Sequence, residues 1–373
     1  MSAPHRIVVK VGTSTLADAE GRLDLAYVED LARQIAAQRA AGREPLLVTS
    51  GAIRAGRQTL GDRYAAVRPH AAPMPLKQAA AAIGQGVLLQ AYAAAFARCG
   101  LVVAQVLLTR EDLADRGRFL NARNTLMALL ELGAVPVINE NDTVAVEEIR
   151  FGDNDTLAAR VAVLVEADLL LMLSDVEGLY ADFDSPDRRV VTEVQGIDAA
   201  VEGLAGGAGS PLGTGGMRTK IEAARIAGGS GIRAVVAHGR RPGIVAEVVE
   251  GRPVGTAFLP AHDRLRGRKR WIVAGSRSRG AVVVNPRAAE RLRERGASLL
   301  PAGITAVEGA FGAGDLVVVR DTEGRRVARG LTNYSADDLR RVMGLRSDRF
   351  EEVLGEKPYD EAIHRDNLVL EPH

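Results

Sequence analysis

The sequence predicts an α/β protein with a mainly parallel central sheet, followed by a small, mostly β domain at its C-terminal end. Short, continuous apolar segments recur along the first two thirds of the 373 residues, and longer amphipathic stretches separate them. Strands that are apolar on both faces are typical of a parallel sheet lying between two layers of helices. After Asp263 the pattern changes to short β-type segments separated by turn residues, which indicates a second domain.

The first domain is expected to alternate strands with helices. A helix is expected at Leu25–Ala41, ending near Gly42. The uncharged stretch between Lys77 and Arg98 contains several glutamines and much alanine, so we expect a buried helix there and not a membrane span. The expected strands are Ile7–Val9, Leu46–Val48, Val102–Leu108, Val135–Ile138, Leu169–Leu173 and Ala234–Ala237.

The change of pattern also sets the expected domain boundaries. A short basic run precedes Trp271, and turn signals separate the β-type segments beyond it. The expected elements there are strands at Gly280–Asn285, Gly303–Val307, Asp315–Arg320 and Arg326–Leu331, and a helix at Pro286–Arg295. We therefore expect a first domain at 1–263, a linker at 264–280, a second domain at 281–359 and a C-terminal tail at 360–373.

Composition excludes several classes of protein. The single cysteine, Cys99, cannot form an internal disulfide, and no Cys/His cluster has the spacing of a metal site. The N-terminal apolar run is too short for a signal peptide, so we expect a cytoplasmic protein with no membrane segment. The net charge is +1, and the basic excess lies in the C-terminal part, which permits contact with nucleic acid without requiring it.

Polar loops follow the predicted strands, at the edge where an open parallel sheet binds ligands. Lys10 ends the first strand and precedes a Gly/Ser/Thr loop, so backbone N–H groups and a lysine charge can hold a phosphate there. Ser50 and Gly51 follow the second strand, in a small turn that lets a hydroxyl and the backbone approach a ligand. Taken alone, a solvated lysine and a serine N-cap explain these residues equally well.

Asp and Asn side chains are concentrated in two nearby segments. Asn139–Thr143 follows the strand at 135–138, and Phe151–Thr156 comes soon after it. Such side chains bind an ammonium group, orient a lysine or hold Mg²⁺. A pair of Asx turns with helix caps is the alternative. Ser174 and Asp175 follow the next strand, where they contact a nucleotide or form a plain turn.

The glycine-rich segment Gly213–Lys220 runs into a helix that we expect to begin near Met217. The loop is not a Walker A motif, because that motif places Gly-Lys-Ser/Thr after four spacer residues. Lys220 is expected in the first helical turn, where a helix N-terminus and a positive charge both attract an anion.

Together these motifs resemble the amino-acid kinase family over about residues 5–263. In their residues and in their order along the chain they are most similar to the members that phosphorylate L-glutamate. The motifs that carry the resemblance are Lys10-Val-Gly-Thr-Ser, Ser50-Gly-Ala, Asn139-Glu-Asn-Asp, Phe151-Gly-Asp-Asn-Asp, Leu173-Ser-Asp-Val-Glu-Gly-Leu-Tyr and Gly213-Thr-Gly-Gly-Met-Arg-Thr-Lys. Further on, Gly280-Ala-Val-Val-Val-Asn, Gly296-Ala-Ser-Leu-Leu-Pro, Phe311-Gly-Ala-Gly-Asp and Gly330-Leu-Thr-Asn-Tyr resemble a PUA domain.

The resemblance implies a three-layer αβα amino-acid kinase fold with a mainly parallel central sheet, and a PUA-like C-terminal domain. It also implies transfer of the γ-phosphoryl group of ATP to the side-chain carboxylate of L-glutamate, with γ-L-glutamyl 5-phosphate and ADP as products. This reaction is the first step of proline biosynthesis. A glutamate carboxylate is already ionised at neutral pH, which agrees with the lack of an evident His or Cys dyad in the sequence.

The resemblance also implies roles for particular residues. Lys10 and Lys220 are expected to act on the transferred phosphoryl group from opposite sides, with Asp155 holding both lysines. Ser50, Asp142 and Asn154 match glutamate-binding positions, and Asp142 suits the α-ammonium group. The expected nucleotide-binding residues are Lys10, Ser174, Asp175, Thr214, Gly215, Gly216, Met217, Arg218, Thr219 and Lys220.

The same resemblance implies ligands and partners. Mg²⁺ is expected to bridge ATP phosphates, held by phosphate and water and not by a protein cage. Proline is the expected feedback inhibitor, and a homo-oligomer, dimer or tetramer, is expected. A glutamyl phosphate reductase is a possible recipient of the product, and the PUA-like domain is a possible site of RNA contact.

Three alternatives remain open at this point. The chain resembles relatives that phosphorylate aspartate, N-acetylglutamate, carbamate or UMP in fold, and fold alone does not separate these acceptors. Gly312–Asp315 matches a catalytic turn of ribokinase-type sugar kinases, but the sequence after it predicts a strand where that family has a helix. An RNA-binding factor is the third alternative, although no set of aromatic residues resembles a base-stacking platform.

Overall fold

The computed structural model describes residues 3–61, 73–144, 154–182, 188–204, 216–260, 278–355 and 359–371. The chain divides into two compact units, one of residues 1–114 and 122–263 and the other of residues 115–121 and 264–373. Each unit has its own sheet and its own apolar core.

The first unit is built on an eight-stranded sheet with the order β3-β4-β2-β1-β5-β7-β8-β6. Its pairs are parallel except for β7 and β8, which run antiparallel. The strands are β1 Arg6–Val11, β2 Glu44–Val48, β3 Val103–Leu108, β4 Val135–Glu140, β5 Leu169–Ser174, β6 Glu193–Gln195, β7 Arg233–His238 and β8 Thr256–Leu259.

Helices cover both faces of this sheet. The helices of this part of the chain are α1 Leu25–Ala40, α2 Ala52–Leu60, α3 Met74–Ala97, α4 Arg110–Ala114, α5 Arg116–Glu131, α6 Asn154–Leu164, α7 Ala199–Gly203, α8 Met217–Gly229 and α9 Ile244–Val249, and residues 116–121 of α5 belong to the second unit. Helices α1, α3 and α9 share a core with Ile7, Val9 and Val11 of β1. Because side chains alternate along a strand, Lys10 lies on the opposite face, where α6 and α8 pack against the sheet.

Helix α3 is the one helix among the described residues that is long and apolar enough to cross a membrane, by length and composition alone. Its Ala81, Leu88, Tyr92 and Phe96 are buried in the core of the first unit. Its closest neighbour is α2, because glycines on both helices let the two backbones touch. This packing accounts for the apolar sequence of α3 without a membrane.

The second unit contains a five-stranded sheet with the order β10-β9-β11-β12-β13. Only β9 and β11 pair in parallel, and the other neighbours are antiparallel. The elements are β9 Gly280–Val284, α10 Pro286–Arg295, β10 Ile304–Gly309, β11 Leu316–Asp321, β12 Arg326–Leu331, α11 Ala336–Val342, α12 Phe350–Leu354 and β13 Leu368–Leu370. Helix α10 begins with the side chain of Asn285 accepting from the N–H of Ala288, and Pro286 follows as its first residue.

The strands predicted from apolar segments are all present, and the predicted αβα layering with a mainly parallel sheet is confirmed. Strands β6, β8 and β13 were not predicted, because each has four residues or fewer and lacks a long apolar run. The segment predicted as a tail at 360–373 contributes β13 and the buried Ala362 and Ile363, so it is an integral part of the second core. Of the predicted linker at 264–280, residues 264–277 lie outside the described part of the chain, and Gly280 begins β9.

Candidate active site

Four neighbouring parallel strands bring the predicted site residues to one edge of the first sheet. Lys10 lies near the end of β1, Ser50 follows β2, Asp142 follows β4, and Ser174 ends β5. Asn154 and Asp155 open α6, and residues 217–220 form the first turn of α8. The carboxyl ends of these strands and the N-termini of two helices therefore meet where such sheets bind ligands.

Asp155 binds two lysines, one with each carboxylate oxygen. Lys10 Nζ lies 2.6 Å from Asp155 Oδ1, and Lys220 Nζ lies 3.1 Å from Asp155 Oδ2. All three side chains are buried, and Asp155 has no exposed surface. The two ammonium groups are thus held on opposite sides of one carboxylate, and this triad carries more positive than negative charge.

The protonation state of Asp155 follows from these contacts. Burial disfavours its charged form, yet the charges and hydrogen bonds of Lys10 and Lys220 outweigh burial and hold the pKa of this carboxyl well below its usual value. Thr219 Oγ1 also lies 2.9 Å from Asp155 Oδ2 and 2.7 Å from the carbonyl oxygen of Gly216. Asp155 therefore remains a carboxylate at neutral pH and orders the start of α8.

The loop after β1 leaves a small polar space beside Lys10. A Cβ added to Gly12 would lie 3.7 Å from Lys10 Nζ, 3.8 Å from the carbonyl oxygen of Leu173 and 3.9 Å from Thr15 Oγ1. Thr15 Oγ1 is buried and has no hydrogen-bond partner. A buried donor without a partner is costly, so this space suits a phosphate oxygen or a water that accompanies one.

A chain of side-chain amides lies on the other side of β1. Asn154 Nδ2 donates to Ser50 Oγ at 2.9 Å and to Asn139 Oδ1 at 3.1 Å. Asn139 Nδ2 donates to Gln85 Oε1 of α3 at 3.2 Å. Gly51, with a φ of 95°, makes the left-handed bend that turns the chain from Ser50 into α2, a bend that favours glycine. Ser50 and Asn154, both predicted as substrate-binding from the family resemblance, are thus in direct contact.

Asp142 lies in the turn after β4, three residues beyond Asn139. Burial without a compensating positive charge raises the pKa of its carboxyl to about 6. An ammonium group from a ligand would supply that charge, so its environment suits the role predicted for it. The second Asx segment begins in residues 145–153, outside the described part of the chain.

The predicted nucleotide-binding residues fall into two groups. Ser174 Oγ donates to Asp175 Oδ1 at 3.1 Å at the end of β5. Gly216 is the N-cap of α8, where no side chain caps the helix, and Met217, Arg218, Thr219 and Lys220 follow in its first turn. The helix N-terminus and Lys220 together suit an anion. Thr214 and Gly215 lie outside the described residues.

No group of three or more His, Cys, Asp or Glu side chains suitable for a metal ion occurs in the parts of the chain that the structure describes. Sequence reasoning missed three polar residues here. Gln85 is one polar residue in an alanine-rich helix, so the sequence gives it no special role. Asn139 and Thr15 lie within the predicted motifs, but no role was predicted for either residue. The available signal for Asn139 was its position directly after the apolar run Val135–Ile138, in a strand whose first five residues are buried.

Comparison with known families gives two matches. The model of the amino acid kinase family matches residues 5–238, and that of the PUA domain matches residues 280–354. The family model covers well over half of the chain, and it includes every predicted catalytic and substrate-binding residue.

Curated relatives match the chain over nearly its whole length. Glutamate 5-kinase of Moorella thermoacetica is 48% identical over 372 residues, covering 99% of this chain and 97% of the relative. Glutamate 5-kinase of Carboxydothermus hydrogenoformans is 50% identical over 369 residues, covering 98% and 97%. Glutamate 5-kinase of Thermus thermophilus is 49% identical over 367 residues, also covering 98% and 97%.

Solved structures show the same fold at low identity. Carbamate kinase from Giardia lamblia bound to AMP-PNP aligns with a TM-score of 0.51 at 17% identity, covering 69% of this chain and 99% of that chain. UMP kinase from Bacillus anthracis aligns with a TM-score of 0.50 at 14% identity, covering 69% and 97%. At this identity the similarity defines the fold and not the acceptor.

Proposed function

Since the chain belongs to the amino acid kinase family, we propose that its site transfers the γ-phosphoryl group of ATP to the side-chain carboxylate of L-glutamate. The products are γ-L-glutamyl 5-phosphate and ADP, and the reaction opens proline biosynthesis. The identity of about half of all residues with glutamate 5-kinases over the full chain supports the choice of glutamate. The single structural observation that supports phosphoryl transfer is the buried triad of Lys10, Asp155 and Lys220.

Lys10 and Lys220 are proposed to neutralise charge on the phosphoryl group as it moves. The acceptor is an ionised carboxylate at neutral pH, so no general base is required. The site then has to hold the acceptor carboxylate and the γ-phosphate of ATP in line, and to stabilise the negative charge on the phosphoryl group during its transfer. Asp155 is proposed to fix both ammonium groups before ATP binds, so that little reorganisation accompanies the reaction.

Ser50, Asp142 and Asn154 are proposed to bind the glutamate. Asp142 offers a carboxylate to the α-ammonium group, and burial raises the pKa of that carboxyl to about 6. The contact between Asn154 and Ser50 places a hydroxyl and an amide at the same point of the site. These groups lie on the β2–β4 side of Lys10, whereas Ser174 and the start of α8 lie on its β5–β7 side.

ATP is proposed to occupy the β5–α8 side of the site. The unpartnered Thr15 hydroxyl and the space above Gly12 suit phosphate oxygens. Ser174, Asp175 and the loop 214–220 are proposed to bind the nucleotide. Mg²⁺ is proposed to bridge the ATP phosphates, with phosphate and water as its main ligands and charge neutralisation as its contribution.

The test is ATP- and Mg²⁺-dependent hydroxamate formation, with hydroxylamine as the trap and glutamate, aspartate or N-acetylglutamate as acceptor. Product with glutamate alone is the expected result. The same preparation of an Asp155→Asn variant controls for a contaminating host kinase. Product with another acceptor would replace glutamate but keep the mechanism. ADP release with UMP only, or no turnover by folded protein, would contradict the proposal.

The proposed function also implies further partners. Proline, a smaller amino acid of the same pathway, is proposed to inhibit, and a glutamyl phosphate reductase to receive the unstable acyl phosphate. A homo-oligomer is proposed from the exposed Leu76 and Ile83, which lie two turns apart on one face of α3.

We propose a cytoplasmic location. Contact of the PUA domain with RNA stays a prediction, and electrophoretic mobility shift of labelled RNA at several salt concentrations tests it.

A further inference from the structure

We infer that Gln85 of α3 is a positioning residue that sets the hydrogen-bonding polarity of the acceptor site, so that Asn154 Oδ1 is kept free to accept from the ammonium group of the substrate. The inference rests on the proposed function, because it deepens the assignment of this site to an amino acid. Gln85 is buried and contacts Asn139, which in turn contacts Asn154. It therefore acts through other residues.

Two backbone groups fix the direction of every hydrogen bond in this chain of amides. The carbonyl oxygen of Glu140 only accepts, so the Gln85 atom 3.1 Å from it is Nε2, and Gln85 Oε1 must face Asn139. The N–H of Glu140 only donates, so the Asn139 atom 2.9 Å from it is Oδ1. Gln85 therefore holds the Nδ2 end of Asn139 and the Glu140 N–H holds its Oδ1 end, so that loss of the Gln85 amide leaves Asn139 held at one end only.

The polarity passes from Asn139 to Asn154. Asn139 Oδ1 is an acceptor, so the Asn154 atom 3.1 Å away is Nδ2, and this same atom donates to Ser50 Oγ at 2.9 Å. Asn154 Oδ1 is left buried, without a hydrogen-bond partner. Ser50 Oγ already accepts from Asn154, so its own hydrogen is available to donate.

The site therefore presents one buried acceptor and one donor before any ligand binds. An ammonium group has three donors and no acceptor, so Asn154 Oδ1 and Asp142 can both accept from it. The Ser50 hydroxyl can donate to a carboxylate. An acid without the amino group, such as glutarate, leaves Asn154 Oδ1 buried and unpaired, and a site built on such a group rejects such ligands.

The helix packing explains why a residue of α3 has this role. A Cβ on Gly84, the residue before Gln85, would lie 1.8 Å from the carbonyl oxygen of Ala52. Ala52 is the first residue of α2, two residues after Ser50. The touching backbones thus hold Gln85 at a fixed distance from the turn that carries Ser50.

The test uses Gln85→Met, which keeps the length and shape of glutamine but removes its amide. Gln38→Met is the matched control, because Gln38 is also buried but lies at the end of α1, where it accepts from Arg43. We expect Gln85→Met to raise the KM for glutamate about tenfold, and kcat and the KM for ATP to change less than about twofold. The Ki of glutarate as a competitive inhibitor should change less than about twofold, because glutarate has no ammonium group to lose.

A double-mutant cycle separates positioning from a general structural effect. If Gln85 acts through Asn154, Gln85→Met should change the KM for glutamate less than about twofold in an Asn154→Ala background. Should Gln85→Met lower the Tm more than Gln38→Met does, Gln85→Glu is measured beside it. That variant keeps the shape and the acceptor that faces Asn139, so the polarity of the amide chain is retained and the KM for glutamate should stay within about twofold of that of the parent.

Three outcomes would overturn the inference. They are a KM for glutamate in Gln85→Met equal to that of the control, an equal loss for glutamate and glutarate, or a full effect in the Asn154→Ala background. A crystal structure of Gln85→Met gives a readout without substrate, in which Asn139 should turn and Asn154 should lose its contact with it. If the parent protein does not phosphorylate glutamate, the proposed function fails, while unchanged Asn139 and Asn154 in that crystal structure would refute the positioning role.

Discussion

Gly56 and Gly84 meet backbone to backbone where α2 and α3 cross, so closely that a Cβ on Gly84 would stand 2.7 Å from the Gly56 nitrogen. A Cβ on Gly56 would stand 1.7 Å from the carbonyl oxygen of Ala80. Neither position accepts a side chain unless the helices move apart. The crossing supports both Ser50, just before α2, and Gln85, on α3.

Gly84→Ala is expected to destabilise the protein by about 3 kcal/mol, because the added methyl group forces two backbones apart. Urea unfolding measures the change. Gly86→Ala on the same helix is the matched control, since a Cβ there would meet nothing within 4 Å. That control should change the free energy of unfolding by less than about 1 kcal/mol, on the stabilising side. Equal losses in both variants would show that the crossing does not limit stability.

Lys10→Ala is expected to lower kcat about a hundredfold or more and to change the KM for glutamate little, because its charge is needed most in the transition state. Steady-state kinetics with the hydroxamate assay measures both. Arg22→Ala is the control, because Arg22 is an exposed cation in the same β1–α1 connection and pairs with Asp18. An unchanged kcat in Lys10→Ala would remove this lysine from the mechanism.

Asp142 predicts a pH dependence for glutamate binding. With a pKa of about 6, its carboxyl becomes protonated as the pH falls below that value and loses its attraction for an ammonium group. The KM for glutamate should therefore rise about tenfold between pH 7.5 and pH 5, whereas the KM for ATP should not follow. In Asp142→Asn the KM should be high at both pH values. A pH profile for Asp142→Asn that parallels the parent would assign the titration to another group.

Asp155→Asn tests the buried triad by stability as well as activity. Two buried ammonium groups lose their shared carboxylate, and we expect a loss of about 3–5 kcal/mol together with a large fall in kcat. The pKa of Asp155 is lowered in the folded protein, so its contribution is fully present above its ordinary value of 3.8 and is lost as the pH falls below it. The difference in unfolding free energy between parent and variant should therefore be constant from about pH 5 to pH 8 and shrink in stronger acid.

An equal difference at pH 3 and pH 7 would contradict a lowered pKa for Asp155. A more stable Asp155→Asn variant would contradict the ion pairs themselves. Urea unfolding at each pH separates the two cases, because the midpoint reports stability and the slope reports whether the exposed surface has changed.

The sequence predicts the strands of the first sheet well, because β1, β2, β4, β5 and β7 are short apolar runs buried on both faces. It predicts the edge strands of the two sheets less well, because β6 and β13 have three residues each and pair with strands that are distant in sequence. The ends of the central strands carry Lys10, Ser50 and Ser174, so topology alone predicts that these residues converge. Gln85 could not be predicted, because its role depends on how closely α3 packs against α2, and no local sequence pattern determines that distance.

Strand β13 has a consequence for how the chain is made. Its residues 368–370 pair with β12, and nearby Ile363 bridges Leu299, so the second sheet is complete only once residues up to 370 have been synthesised. The first unit can fold before these residues are made, whereas the PUA unit can finish folding only after them. A premature stop codon before residue 359 would spare every strand of the kinase sheet. It would leave β12 as an unpaired edge, open to association between nascent chains.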